Sequence, residues 1–534
     1  MERMANSYFK EIFTKDPTLS AGEVLECIAP KVTDEMNESL CKPYTETEIS
    51  DALFQIGPLK APGCDGFPAR FYQRNWATLK VDIVAAVQDF FIIGIMPDGV
   101  NDTAIILIPK VPHPKELKDF RPISLCNVVY KVVSKCMVNR LRPLLAGLIS
   151  ENQSAFIPGR LISDNSIIAF ECIHRIRTAK SNSPALCAYK LDLSKAYDRV
   201  DWEFLEKALA KWGFSQVCIS RVMACVSSVK YSVKFNGKLL EAFTPSRGFR
   251  QGDPLSPFLI LFVADALSSL IKKATREDGL QGVRISRSAP EISHLLFADD
   301  SLLFFLATEQ QATLVKGLLN TYALATGQLI NPSKCSILFS NHCQPNVIQE
   351  VKTVLEITQE VFEPKYLGLP VPEGRMHKGR FETTQDRLRK RLVDWSEQYM
   401  SSGNKEVLIK AVAQAIPTYV MSVFKLPASV CDDLTCLIRQ YWWGVEKGKR
   451  KMAWMSWDKL RLPKSMGGMG FRDMRVFNQA LLAKQAWRLL DSLESLCSRL
   501  LKAKYFPHGQ LLDTVFPNNG SEVWKGILHG LELV

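Results

Sequence analysis

"SHLLFADDSLLF" (residues 293–304) sets two runs of large apolar residues around a bare pair of acids, Asp299 and Asp300. A charged side chain is rarely buried without a partner or a metal, and neighbouring carboxylates repel each other. The stretch reads as strand, tight turn and strand, with both acids at the tip, where side chains reach one edge of a sheet. Taken alone the pair is unremarkable, because Asp-Asp is a common turn dipeptide. A third acid changes the weighing. Asp192 lies in "YKLDLSKAYD" (189–198), where "LDL" reads as strand and "SKAYDRV" turns toward a helix. An acid inside an apolar strand, near its end, repeats the same oddity; the plainer alternative is an acid at a helix N-terminus. Three carboxylates converging from two strands would hold two magnesium ions, which take oxygen ligands. Two such ions roughly 3.5–4 Å apart clamp the attacking and leaving oxygens of an in-line phosphoryl displacement. Their charge would also keep adjacent acids ionised.

The rest of the chain bounds the answer. Its 534 residues leave room for several domains and a large core. A hydrophobic share of 47% and a charged share of 23% are ordinary for a globular protein. Mean hydropathy is −0.02, and the longest apolar stretches, 255–271 and 407–426, are interrupted by Asp265 and Pro417, so no membrane span is expected. The start has no basic region followed by an apolar run, hence no signal peptide. The expected location is intracellular, in the nucleus and/or cytoplasm. Both ends read as if cut from a longer chain. Fourteen cysteines are scattered without zinc spacing, which fits buried free thiols in a reducing compartment. The net charge of +12, from 67 Lys and Arg against 55 Asp and Glu, fits a polyanionic partner.

Local signals order the elements. Residues 1–57 read as helical, with Thr45 and Glu48 spaced as a capping box. "KAPGCDGFPARFY" (60–72) is a loop rich in Pro and Gly, and a helix follows from about Asn75 to Ile95. "TAIILIPKV" (103–111) reads as a strand and 202–228 as helical. "KYSVKFNGKLLEAF" reads as a hairpin about Asn236-Gly237. Residues from about 381 onward are helical and basic.

"FADD" (297–300) and "LDLSKAYD" (191–198) resemble the two acidic motifs of reverse transcriptases, above all those of LINE-type non-LTR retrotransposons in their plant form. Further stretches follow in the family's order. "KAPGCDGFPARFY" resembles the segment before the fingers, with Cys64 where the family usually has proline. "LIPKVPHPKELKDFRPISLCNVVYK" (107–131) resembles the fingers motif, and "QSAFIPGRLISDN" (153–165) comes next. "RGFRQGDPLSP" (247–257) resembles the motif behind the nucleotide pocket, "TGQLINPSKCSILF" the motif with the palm lysine, and "YLGLPV" (366–371) the primer grip. "AIPTYVMSVFKLP" and "GGMGFRDMRVFNQALLAKQAWRLL" resemble the thumb and what lies beyond it.

The resemblance implies an α+β right-hand polymerase: fingers and palm with an antiparallel sheet, then a helical thumb and a basic helical tail. Its divisions would be an N-terminal helical extension at 1–100, fingers and palm at 101–365, primer grip and thumb at 366–440, and the tail at 441–534. It implies Asp192, Asp299, Asp300 and the Leu193 carbonyl as ligands of two Mg2+ ions, with Mn2+ a possible substitute. Lys110 and Arg121 would meet the triphosphate. Tyr197 would lie under the sugar, Gln251 and Gly252 would line the pocket, and Lys334 would stand near the pyrophosphate. Tyr366, Leu367 and Gly368 would position the primer end. The expected partners are an RNA template, a DNA primer and dNTPs, with no membrane; the sequence sets no oligomeric state. No endonuclease motif is recognised at the start and no RNase H motif at the end. Two rivals remain: a maturase-like reverse transcriptase of group II introns, which shares the palm, and a decayed or co-opted copy that binds RNA without polymerising. In "WWGVEKGKRKMAWMSWDKLRLPK" (442–464), Lys447, Lys449, Arg450, Lys451 and Lys459 interleave with Trp442, Trp443, Trp454 and Trp457. That pattern suits either a nucleic-acid platform or core tryptophans beneath a solvated face.

Overall fold

The apolar run around the two acids is buried on both sides. In the computed structural model, which describes residues 2–15, 21–394, 400–446, 449–450, 452–516 and 520–534, it forms one hairpin of a four-stranded sheet. Eight strands make two such sheets: β1 (Asp102–Pro109), β2 (Phe120–Cys126), β3 (Leu186–Leu191), β4 (Lys230–Phe235), β5 (Lys238–Leu239), β6 (His294–Phe297), β7 (Asp300–Leu306) and β8 (Ser336–Phe339). The sheet carrying the acids runs β6-β7-β3-β8 and is antiparallel throughout. Successive side chains on a strand point to opposite faces. Cys187, Tyr189, Leu191, Leu303 and Phe305 thus enter one core, while Leu186, Ala188, Leu302 and Phe304 enter another. A strand covered on both faces has no polar alternation, which explains the water-avoiding stretch.

The second sheet runs β2-β1-β4-β5, antiparallel except for the parallel β1–β4 pair. The N-terminal helix Glu2–Ile12 packs on it through Phe9 and Ile12, and Phe13 follows them against Ile105, Tyr231 and Val233. The β4–β5 turn is Asn236-Gly237, with φ of 48° and 84°, the I′ pattern that Asn-Gly favours. The Thr45–Glu48 capping box forms as expected. The stretch 202–228 is two helices, Trp202–Trp212 and Gln216–Ser227, parted at Gly213, whose φ is 96°.

The C-terminal residues share a core with the acid-bearing sheet. The helix Ile162–Arg177 packs against Leu496–Tyr505 and Glu522–Leu531, and Phe170 and Trp524 belong to one apolar cluster. Glu171, fully buried, accepts from Lys504 Nζ at 2.6 Å, from the Tyr505 hydroxyl at 3.0 Å and from Ser521 Oγ. Arg488 grips Asp164 with two bonds of 2.6 and 2.7 Å. Trp442 and Trp457 flank Phe471 with ring centroids 5.2 and 5.1 Å away, so these tryptophans are packing residues, whereas Trp454 is 84% exposed. Lys447, Lys451 and the side chains of Lys449 and Arg450 lie outside the described residues. All fourteen cysteines are free thiols, and among the described residues no helix is long and apolar enough to cross a membrane.

Candidate active site

The β6–β7 hairpin closes on Ala298 and Asp299, between the paired residues Phe297 and Asp300. Ala298 has φ of 55°, in the region that favours glycine, and Asp299 has no positive φ. A left-handed residue with a Cβ costs about 1–2 kcal/mol, so something must hold it. The Ala298 amide donates to Gln153 Oε1 at 3.1 Å. The tight turn leaves Asp299 exposed and Asp300 half-buried at the start of β7.

Asp192 joins them by register. Leu191 pairs with Ser301, so one residue further along the ladder Asp192 stands opposite Asp300. Asn331 N–H donates to the Asp192 carbonyl at 2.9 Å and Ser194 N–H to the Leu329 carbonyl at 2.7 Å. These bonds flank Leu193, whose own carbonyl therefore faces the other side of the strand, where β7 and Asp299 lie. Burial pushes the Asp192 carboxyl above its ordinary range, and the charge of Asp299 adds to that; Lys334 and Lys190 pull it back. Asp300 is likewise raised, first by burial and then by Asp299. The three acids thus sit within one another's fields, and Lys334 lies near enough to Asp192 to act on it. Lys190, which the sequence reading passed over, acts on both while held by Glu363 and by the Lys365 carbonyl at 3.3 Å.

Among the described residues no three carboxylate, imidazole or thiol groups converge tightly enough to form a ready-made metal cage. The donor set is nevertheless that of a hard divalent cation: three carboxylates and a carbonyl at one edge, with mutual repulsion for an ion to relieve.

Tyr197 stands next to this group. It is partly buried against the larger core, and its hydroxyl is pushed far up by burial and by the charge of Asp299. One residue on, Asp198 is 2% exposed and accepts from Gln251 Nε2 at 2.9 Å. Burial raises the Asp198 carboxyl to about 6, opposed by the Gln251 bond and by Lys195, Lys110 and Arg199. A carboxyl this deep that is paired with Gln251 was not recognisable from "KAYD". Gln251 is fixed at its backbone too, where the Ser124 amide donates to its carbonyl at 2.8 Å. Gly252 has φ of 121°, and a Cβ there would meet the Ser124 oxygen at 2.9 Å, so only glycine lets this loop lie on β2. Behind it, buried Arg250 donates to the Cys225 carbonyl at 2.8 Å and lies 3.9 Å from the centre of the Tyr130 ring.

Lys110 and Arg121 are exposed on the arms of the β1–β2 hairpin. Ile108 pairs with Arg121, which places Lys110 and Arg121 on one face, and Lys110 contributes to the field at Asp198. No hydrogen bond or ion pair among the described residues joins Arg121 to the acids. From the N-terminal helix, the Tyr8 hydroxyl accepts from Lys195 Nζ at 2.7 Å; burial lowers that lysine to about 8. The "YLGLPV" segment is a hairpin of β9 (Lys365–Tyr366) and β10 (Leu369–Pro370), turning on Leu367 and Gly368 with φ of 47° and 79°. Tyr366 is only 1% exposed and its hydroxyl donates to Asn165 Oδ1 at 2.7 Å. Its ring anchors the hairpin, Leu367 packs partly against the same core, and Gly368 is exposed at the turn.

An antiparallel sheet thus carries an acidic turn, with a third acid just past the end of its inner strand β3. Residues 108–371 match the sequence profile of the family described as "Reverse transcriptase (RNA-dependent DNA polymerase)". The chain belongs to the reverse transcriptase family. It is 31% identical over 370 residues, 68% of its length, to an uncharacterized 149 kDa protein of transposon TX1 from Xenopus laevis, covering 27% of that protein. It is 25% identical over 330 residues, 61% of its length, to the retrovirus-related Pol polyprotein of the type-2 retrotransposable element R2DM of Drosophila melanogaster, covering 29% of it. It is also 42% identical over 121 residues, 22% of its length, to an uncharacterized mitochondrial protein of Arabidopsis thaliana, covering 79% of that protein. The chain thus spans less than a third of the two transposon relatives.

Proposed function

We propose that this chain is the RNA-directed DNA polymerase of a LINE-type retroelement, extending a primer 3′-hydroxyl with dNTPs on an RNA template. The reading rests on three carboxylates standing at one end of a sheet, one just past β3 and two at the β6–β7 turn, with cationic and aromatic residues around them. Asp192, Asp299, Asp300 and the Leu193 carbonyl would hold two divalent ions, Mg2+ by donor type. When bound, these ions would acidify the 3′-hydroxyl and stabilise charge on the α-phosphate and the departing pyrophosphate.

The chain's own groups do the rest. Lys110 and Arg121 meet the triphosphate on one face of the β1–β2 hairpin. Tyr197 packs under the deoxyribose, and Gln251 and Gly252 line the pocket that Asp198 braces. Lys334 donates a proton toward the leaving pyrophosphate, and the Leu367–Gly368 turn supports the primer. Template sequence is read by base pairing, so protein contacts fall on backbone and shape. In this reading residues 101–365 are fingers and palm, preceded by a helical extension and followed by a thumb at 366–440 and the tail. The test is incorporation of labelled dTTP on poly(rA)/oligo(dT) with magnesium. The parent should extend the primer. Asp299→Asn, which keeps shape and removes an anionic ligand, should lose orders of magnitude in rate while still binding template–primer. An Asn variant within a few-fold of the parent would sink the two-ion scheme.

A further inference from the structure

Gln153 is the buried group that the proposed chemistry leaves without a task. It is wholly buried in the "QSAFIPGR" segment, where apolar side chains would fill the space more cheaply. Its Oε1 accepts from two amides, Ala155 at 2.9 Å and Ala298 at 3.1 Å. Its Nε2 is buried without a hydrogen-bond partner among the described residues. Leaving a buried amide donor unpaired is unfavourable, so its retention needs an explanation in what the oxygen does.

The oxygen is aimed with care. Asn152 and Ser154 bracket Leu296 of β6: the Leu296 amide donates to the Asn152 carbonyl at 2.9 Å and the Ser154 amide to the Leu296 carbonyl at 3.1 Å. Arg160 donates to the Gln153 carbonyl at 2.7 Å and to the Ile149 carbonyl at 2.9 Å, locking the loop's backbone. Gln153 therefore moves as one body with β6, and its Oε1 meets the amide of the left-handed Ala298 at the turn. The φ and ψ of Ala298 set where the next residue, Asp299, points.

We infer that Gln153 is a positioning residue for the acidic turn: its amide oxygen pins the Ala298 N–H, holds that residue left-handed and fixes the aim of Asp299. The inference rests on the proposed polymerase reading, but its first readout does not need activity. Gln153→Met keeps the side chain's length and removes both polar atoms. Hydrogen exchange in the peptide spanning 293–304 should speed at least tenfold in this variant, with peptides elsewhere unchanged. If the parent polymerises, Gln153→Met should lower kcat about tenfold, equivalent to about 1.4 kcal/mol, while KM for dTTP and affinity for template–primer stay within twofold. Adding Ala298→Gly, which makes the left-handed conformation natural, should restore most of the lost kcat. Unchanged exchange over 293–304 would overturn the inference. So would a Gln153→Met variant whose melting temperature, binding and kcat all fall together without rescue by glycine. A parent that never polymerises, with exchange altered as expected, would count against the enzyme reading and leave the pinning intact.

Discussion

Replacing Asp198 by asparagine should make the protein more stable at neutral pH and not at acid pH. Asp198 is fully enclosed, and burial lifts its carboxyl from the ordinary 3.8 to about 6. Asparagine keeps the oxygen that accepts from Gln251 Nε2. A folded carboxyl that titrates above its unfolded value is penalised in its ionised form. The penalty is absent below about pH 4, grows as pH rises through the unfolded value, and is complete once pH passes about 6. At 1.36 kcal/mol per tenfold in proton affinity, the gap of about two tenfold steps amounts to about 3 kcal/mol, and roughly half of it has accrued by pH 5. Relative to the parent, Asp198→Asn should therefore gain about 1–2 kcal/mol between pH 5 and pH 7.5. Urea unfolding followed by circular dichroism at those two pH values measures it. A stability difference that stays flat with pH, or that moves against the variant as pH rises, would refute the burial of an ionisable Asp198.

Tyr197→Val should raise ribonucleotide over deoxynucleotide incorporation by roughly tenfold or more, about 1.4 kcal/mol of discrimination, because the ring beside Asp299 would no longer crowd a 2′-hydroxyl; single-nucleotide extension with dTTP and UTP reads the ratio, and an unchanged ratio removes Tyr197 from the sugar pocket. Mg2+ at about a hundred times its Kd should stabilise the parent by about 2.7 kcal/mol, and Asp300→Asn should abolish most of that gain in thermal unfolding; equal gains would place the ions elsewhere. Glu171→Ala strands Lys504 beside a buried void and should cost about 3–5 kcal/mol. Limited proteolysis should then cut the chain beyond residue 444 far sooner than in the parent, and equal cleavage rates would show that Glu171 does not tether the C-terminal helices.

The acidic turn, the Asn236-Gly237 hairpin and the Thr45 capping box were legible because each is written within a few consecutive residues. Sequence patterning also exposed the oddity of Asp192, since a charge in an apolar strand stands out wherever its partners are. Gln153 and Asp198 were not legible. Each is a polar side chain whose meaning lies in one distant partner, the amide of Ala298 or the amide of Gln251, and no local period marks such a pair. Tyr366 was placed at the primer on the strength of its motif, yet its ring is interior and bonded to Asn165. The motif says nothing of which of its residues faces out. The tail showed the limit of composition. Its alternation of Trp with Lys and Arg suited a nucleic-acid surface, while Trp442 and Trp457 are spent on packing Phe471.

Glu171 and Ser521 are bonded although 350 residues separate them. During synthesis the helix Ile162–Arg177 is made well before the groups that bond Glu171, which follow 333 to 350 residues later. At about 5–20 residues per second, roughly twenty to seventy seconds pass between the two. Over that interval the face of that helix turned toward Leu496–Tyr505 and Glu522–Leu531 waits with its apolar residues uncovered. The nascent chain thus carries its acidic turn before that helix has its outer layer, a window in which a chaperone has the first chance to cover the exposed apolar face.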